Sequence, residues 1–150
     1  MRKVNTVLFA LLTLWFTLVL IGIPGLVTKD SWRGLSGLLE LILIVLFIGH
    51  LQKWKVEPLL TLAALILWGS MQFISHWYGF FFGASANQLT QYYGMFSGTY
   101  RFFSKSPTRT VPDAFHTVLG LLIVANLVVV ASQAVSLYWH SGKRIARQKD

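Results

Sequence analysis

The chain has no cysteine among its 150 residues. Disulfides, thiolate metal ligands and thiol–disulfide exchange are therefore excluded. Charge is also scarce: 12% of residues are Asp, Glu, Lys or Arg, against about 25% in an ordinary soluble domain. Acidic residues are the rarest, with Asp30, Glu40, Glu57, Asp113 and Asp150 making up the full set. Several chemical signatures are missing as well. There is no nucleophile elbow with a Ser-His-Asp order, no phosphate-binding glycine loop and no His-Glu-x-x-His pair, and no selectivity-filter sequence. No internal repeat links one segment to another.

What is present is hydrophobic: 55% of the residues, gathered into runs near the ~20 residues that cross a bilayer core. A soluble core does not need runs of that length, so residues 1–150 read as a single membrane domain. The formal net charge is +8. In a membrane protein this fits the bias of basic residues toward the cytoplasm and attraction to anionic lipid headgroups. No basic stretch lies away from the flanks of the apolar runs, so nucleic acid is not an expected partner.

The expected fold is an all-α integral membrane protein, a four-helix transmembrane bundle. Its spans cover approximately 4–27, 34–51, 58–79 and 113–139, the third reaching as far as Phe82. Arg2 and Lys3 precede the first run as in a signal peptide, but the run is too long for one and no small-x-small cleavage site follows, so a retained span is expected. Pro24 and Gly25 loosen its far end. Asp30 or Ser31 can cap the second helix, and Pro58 suits the first turn of the third. Between spans three and four, Leu89, Tyr92, Phe96, Tyr100 and Phe103 recur at three- and four-residue steps. This pattern predicts an interfacial or re-entrant helix over approximately 87–103.

With four spans, the N-terminus, the middle connector and the tail share one side. That side carries eight basic residues: Arg2, Lys3, Lys53, Lys55, Lys143, Arg144, Arg147 and Lys149. The other carries five: Lys29, Arg33, Arg101, Lys105 and Arg109. The bias places both termini in the cytoplasm of a cell-membrane protein.

That orientation brings ionisable groups from three helices to one level near the outer face. Glu40 lies about 9 Å inside the second span at 1.5 Å per residue, His76 lies near the outer end of the third, and Asp113 and His116 near the outer end of the fourth. Gln72 shares the His76 stripe, which gives a candidate polar cluster of Glu40, Gln72, His76, Asp113 and His116. A carboxylate inside a span faces a partner or a water-filled cavity. Histidine titrates near neutral pH, which makes His76 and His116 candidate cofactor-binding residues. Each residue also has an ordinary structural explanation. Asp113 fits a helix cap, the histidines fit an aromatic belt, and Glu40 fits a helix–helix hydrogen bond.

No cofactor follows from these residues alone. Glu40, His76, Asp113 and His116 are chemically suitable metal donors without a recognised spacing. A b-type haem would need His76 and His116 to face across a gap, with His50 and His140, both at the water boundary, as a second pair. A quinone could lie among the outer aromatics with His76 and Glu40 as proton donors or acceptors. Asn126, Gln133 and His140 form a heptad-spaced stripe that suits a packing or oligomer seam. Gly79–Gly83 and Gly94–Gly98 have the spacing of close helix approach, or of a hinge.

The expected function is that of an interaction or accessory subunit, with the lipid bilayer and a larger membrane complex or a homo-oligomer as partners. The alternatives are a redox or cofactor-binding protein using Glu40, His76 and His116, and an oligomeric proton-coupled transporter using Glu40. The orientation is directly testable. Ser97→Cys, in a chain with no other thiol, should react with an impermeant maleimide added outside the cell. Labelling from the cytoplasm alone would invert the topology.

Overall fold

The computed structural model of the chain describes residues 2–27, 29–30 and 33–147, with side chains described as far as Ser136. The described residues are helical apart from connectors and one isolated bridge between Ile23 and Val27.

Helix α1 spans Arg2–Ile21 and buries Asn5, Phe9, Leu12, Thr13, Phe16 and Leu20, a three- and four-residue spacing that makes one continuous face. The helix is shorter than the apolar run that encodes it. Gly22 takes φ +75°, a left-handed conformation that ends helices, and Pro24 cannot donate to a helical ladder. The chain instead reverses, with the Ile23 and Val27 amides each donating to the other's carbonyl at 3.0 Å.

Helix α2, Leu35–Leu51, starts after Gly34 with no side-chain cap. Asp30 is hydrogen-bonded to the Ser36 hydroxyl rather than capping the helix, and Ser31 lies outside the described residues. Helix α3 runs Glu57–Phe82, with Pro58 in its first turn and a π-helical turn over Phe73–Trp77. Helix α4, Ala86–Met95, opens with a capping box between Ser85 and Gln88. Helix α5, Ala114–Arg147, closes the chain.

The α4 helix covers only part of the expected interfacial segment. After Met95 the chain turns, and Gly98 sits at φ +79°. The Arg101 guanidinium then donates to the carbonyls of Phe96 at 2.9 Å, Thr99 at 3.2 Å and Val111 at 3.2 Å. Those carbonyls are satisfied by a side chain instead of by further helix. The aromatic spacing therefore continues from a helix onto a folded loop.

Helix α1 packs against α2 and α5, and α3 packs against α5 and α2. Phe9, Phe16, Leu43, Leu65, Trp68, Leu119 and Ile123 form the shared core. Large apolar side chains also cover the outside: Leu67 is 67% exposed, Ile74 70% and Val135 67%. Polar side chains are conversely buried, among them Asn5, Glu40, His50, Glu57 and Asn126. Three helices, Arg2–Ile21, Glu57–Phe82 and Ala114–Ser136 of α5, are long and apolar enough to cross a membrane, and α2 is a shorter apolar helix. Together these features point to membrane association.

Several buried polar groups are partnered across helices, although Asn5 Oδ1, Glu40 Oε2 and Asn126 Oδ1 have no partner among the described residues. Asn126 Nδ2 donates to the Leu8 carbonyl at 3.1 Å, and Asn5 Nδ2 to Gln133 Oε1 at 2.8 Å, so this stripe on α5 packs within the chain against α1. At the same end, His50 is buried rather than at a water boundary. Its Nε2 lies 2.9 Å from Thr6 Oγ1 and its Nδ1 3.2 Å from Glu57 Oε2. Thr61 donates to the other Glu57 oxygen at 2.8 Å. The side chain of His140 lies outside the described residues. Gly49 lets the Trp54 indole fold against α2, since a Cβ there would lie 2.6 Å from the ring.

Glu57 therefore ties α3 to α2, and His50 carries the link on to Thr6 of α1. Glu57→Ala leaves His50 Nδ1 and the Thr61 hydroxyl without their partner and should cost about 3 kcal/mol of unfolding free energy. Glu57→Gln, which keeps polar atoms within reach, should cost less. Denaturant titration in detergent micelles measures both.

Candidate functional site: a histidine-lined cavity

The π-helical turn of α3 is the local device that places His76. A π-turn widens the helix and re-aims the side chains that follow. Here it sets the His76 ring against the His116 ring of α5, with centroids 3.8 Å apart and planes 19° from parallel. It also brings the Trp77 indole against Gly120, where a Cβ would lie 3.0 Å from the indole nitrogen. Gly79 has a related role: a Cβ there would lie 2.6 Å from Thr110 Oγ1. The loop before α5 can therefore lie directly on α3, and the Thr110 amide donates to the Gly79 carbonyl at 3.3 Å. Gly83 supplies a positive φ at the end of the helix, whereas a Cβ on Gly94 would meet nothing within 4 Å.

Asp113 precedes α5 and takes two donors on one oxygen. The His116 amide donates to Oδ1 at 2.9 Å, and the His116 Nδ1 lies 2.8 Å from the same atom. A carboxylate only accepts, so Nδ1 carries the proton in this pair. Burial pushes the Asp113 carboxyl up, but the hydrogen bonds and charge of His116 outweigh it and hold the group below its ordinary value. His76 Nδ1 lies 3.2 Å from the Tyr92 hydroxyl. Burial, followed by the charge of Asp113, raises the Tyr92 phenol well above its usual range, so it keeps its proton.

Phe96 closes over both rings, with its centroid 5.3 Å from His76 and 5.0 Å from His116. The α4 helix and its turn thus lie as a cover on the end of the helices. The extended segment that follows is held down by Tyr93, whose hydroxyl donates to the Arg109 carbonyl at 2.8 Å and accepts from the Ser106 amide at 3.1 Å. The Tyr100 amide donates to the Gly25 carbonyl at 2.6 Å, which links this loop to the turn after α1.

Beneath this cover lies a cavity of about 420 Å3, within the range usual for small-molecule sites. Phe16, Trp68, Phe96 and Phe115 supply aromatic walls, Gln72, His76 and His116 supply polar ones, and Lys29, Asp30 and Ser36 also line it. The Nδ1 of each histidine is taken up by the protein, which leaves Nε2 as the nitrogen each ring can offer. His50 differs, since both of its nitrogens are engaged. Gln72 Oε1 is buried with no hydrogen-bond partner among the described residues. An unsatisfied buried acceptor costs about 1–3 kcal/mol, so a donor placed at this wall would recover that energy.

The five residues singled out from the sequence separate into two groups. Gln72, His76 and His116 share the cavity, and Asp113 orients His116 from behind. Glu40 is elsewhere: it is 1% exposed, and its Oε1 lies 2.6 Å from Thr17 Oγ1 of α1. Leu39 and Ser36 line the cavity in its place. Among the described residues, no group of three or more His, Asp or Glu side chains could hold a metal ion. A haem held by His76 and His116 needs the rings on opposite faces of a porphyrin with nitrogens aimed at the iron. These rings are stacked face to face, and no macrocycle fits between them. Sequence reasoning did not identify Tyr92, Phe96 or Thr17 as partners. Tyr92 and Phe96 lay on the expected amphipathic stripe, but nothing in that pattern says which histidine they meet.

No protein-family model matches the chain, and neither curated proteins nor solved structures gave a significant match.

The Asp113 pair gives a pH prediction. A carboxyl held below its ordinary value stabilises the fold fully above its unfolded value, near 3.8. That contribution is lost as pH falls through the lower, folded value. Asp113→Asn should therefore lower the thermal midpoint at pH 7, and the gap to wild type should shrink below about pH 4. Melting curves in detergent across this range provide the measurement.

Proposed function

We propose that the chain is a small multi-pass protein of the cell membrane, with four crossing helices and both termini in the cytoplasm. Its role is that of an accessory protein that binds a small, largely apolar molecule beneath the loop, alone or within a larger membrane complex. Exposed apolar flanks and partnered polar interiors support insertion. Helix α2 has 17 residues, about 26 Å at 1.5 Å per residue. That is a few ångströms short of the ~30 Å core, a mismatch that local thinning and flanking basic side chains accommodate.

The observation that carries the binding reading is the cavity wall itself. Gln72, His76 and His116 meet there with hydrogen-bonding capacity that the protein leaves unused. Asn5 Oδ1 and Asn126 Oδ1 are also buried without a partner among the described residues, but they lie in packed helix contacts, whereas the Gln72 side chain is at a cavity wall beside two histidines. A binding role needs no catalytic constellation. A proton-coupled transport role would need Glu40 on a polar path, and Glu40 faces Thr17, apart from the cavity.

Native mass spectrometry of the protein extracted in mild detergent tests the reading. Wild type should retain a small molecule, and Val19→Trp, which puts an indole into the cavity from its α1 wall, should release it. A wild-type protein that carries nothing under any extraction condition, or a molecule retained equally by Val19→Trp, would contradict the proposal.

A further inference from the structure

The donors and acceptors on the cavity wall define what the bound molecule must bring. His116 Nδ1–H is committed to the Asp113 carboxylate, and in the neutral form of the ring Nε2 is then an acceptor. Gln72 contributes a second acceptor, the buried Oε1 with no partner among the described residues. His76 Nδ1 pairs with the Tyr92 hydroxyl at 3.2 Å, and in the tautomer with hydrogen on Nε2 His76 can donate. In these tautomers the wall takes a group that donates to His116 while accepting from His76, and Gln72 is open to a second donor. A hydroxyl does both at a single oxygen, whereas a carbonyl or ether only accepts and leaves His116 Nε2 unanswered. The rest of the wall is aromatic, from Phe16, Trp68, Phe96 and Phe115, and planar rings pack favourably against such faces.

We propose that the cavity takes a membrane-soluble aromatic alcohol, the head group of a phenol or quinol, hydrogen-bonded through its hydroxyl to His116 Nε2. This rests on the binding role assigned above and adds the chemistry of the ligand. Asp113 is a positioning residue: it fixes the His116 tautomer so that the acceptor faces the cavity. It also stabilises positive charge on the ring should the hydroxyl proton be shared. Gln72 is the second acceptor, suited to a head group with two hydroxyls.

The test uses probes that differ in one hydrogen-bond donor. 4-Heptylphenol and its O-methyl ether are titrated against the full chain in nanodiscs, with Trp68 in the wall contributing to the fluorescence change. The phenol should bind saturably and at least tenfold more tightly than the ether. His116→Phe should abolish that preference while keeping the ring volume. Asp113→Asn should reduce it, and Thr90→Ala, on an exposed face of α4, should leave it unchanged. If His116→Phe does not fold, Gln72→Leu provides the second variant, with a partial loss of preference for heptylhydroquinone over its dimethyl ether. Equal binding of phenol and ether by wild type, or a preference that survives in His116→Phe, would overturn the proposal. A co-purifying molecule released by Val19→Trp, with no phenol preference, would overturn the hydroxyl chemistry and leave the binding role standing. Neither result appearing would overturn both.

Discussion

A polar side chain inside an apolar helical protein has nowhere to find water, so it must find a partner on another helix. That constraint organises this chain. Glu57, His50, Thr6 and Thr61 knot the first three helices together near the N-terminus of α1. Asn5 with Gln133, and Asn126 with the Leu8 carbonyl, hold α1 to α5. Thr17 meets Glu40 between α1 and α2. Between these contacts the helices are apolar on both the inner and outer sides, and hydrophobicity alone gives little preference for one rotation of each helix over another. The polar pairs supply that preference.

The end of the molecule near Gly25 and Tyr100 works by a different arrangement. Here the helices are capped by a folded segment, and the segment is fixed mostly by side chains that donate to backbone carbonyls. Arg101 and Tyr93 together donate to the carbonyls of Phe96, Thr99, Val111 and Arg109, acceptors that lie outside any regular helix and need donors from elsewhere. This cover holds Phe96 over two stacked histidines and leaves a cavity beneath. The contrast between the two ends is chemical. At the His50 end every ring nitrogen is used, whereas at the His76 and His116 end one nitrogen of each ring is left for something else.

Much of the architecture was legible in the sequence. Run length and charge scarcity mark the apolar helices, Pro58 marks a helix start, and Asp113-x-x-His116 reads directly as a cap with a histidine one turn on. Three things were not legible, each for a physical reason. The first helix stops at Ile21 because Gly22 adopts a left-handed conformation, while hydropathy continues to Val27. The π-turn at Phe73–Trp77 has no compositional mark, yet it decides where His76 points. Glu40 shares a depth with the histidines by residue count, but depth is one coordinate only, and the rotation of α2 turns the carboxyl toward Thr17 instead. His50 failed in the opposite sense. Its basic neighbours suggested water, and its true partner, Glu57, lies seven residues on across a tight turn.

The central claim is that these helices keep polar groups inside and turn their apolar outer faces to lipid. Photo-crosslinking to lipid acyl chains, with a diazirine side chain placed at one position at a time in reconstituted membranes, tests it most directly. Paired positions on each helix separate the faces: Leu14 against Leu12, Leu41 against Leu43, Leu67 against Leu65, and Leu121 against Leu119, exposed and buried respectively. The first member of every pair, including the one on α2, should capture acyl chains, and the second should not. Equal capture within the pairs, or no capture along α2, would contradict the arrangement.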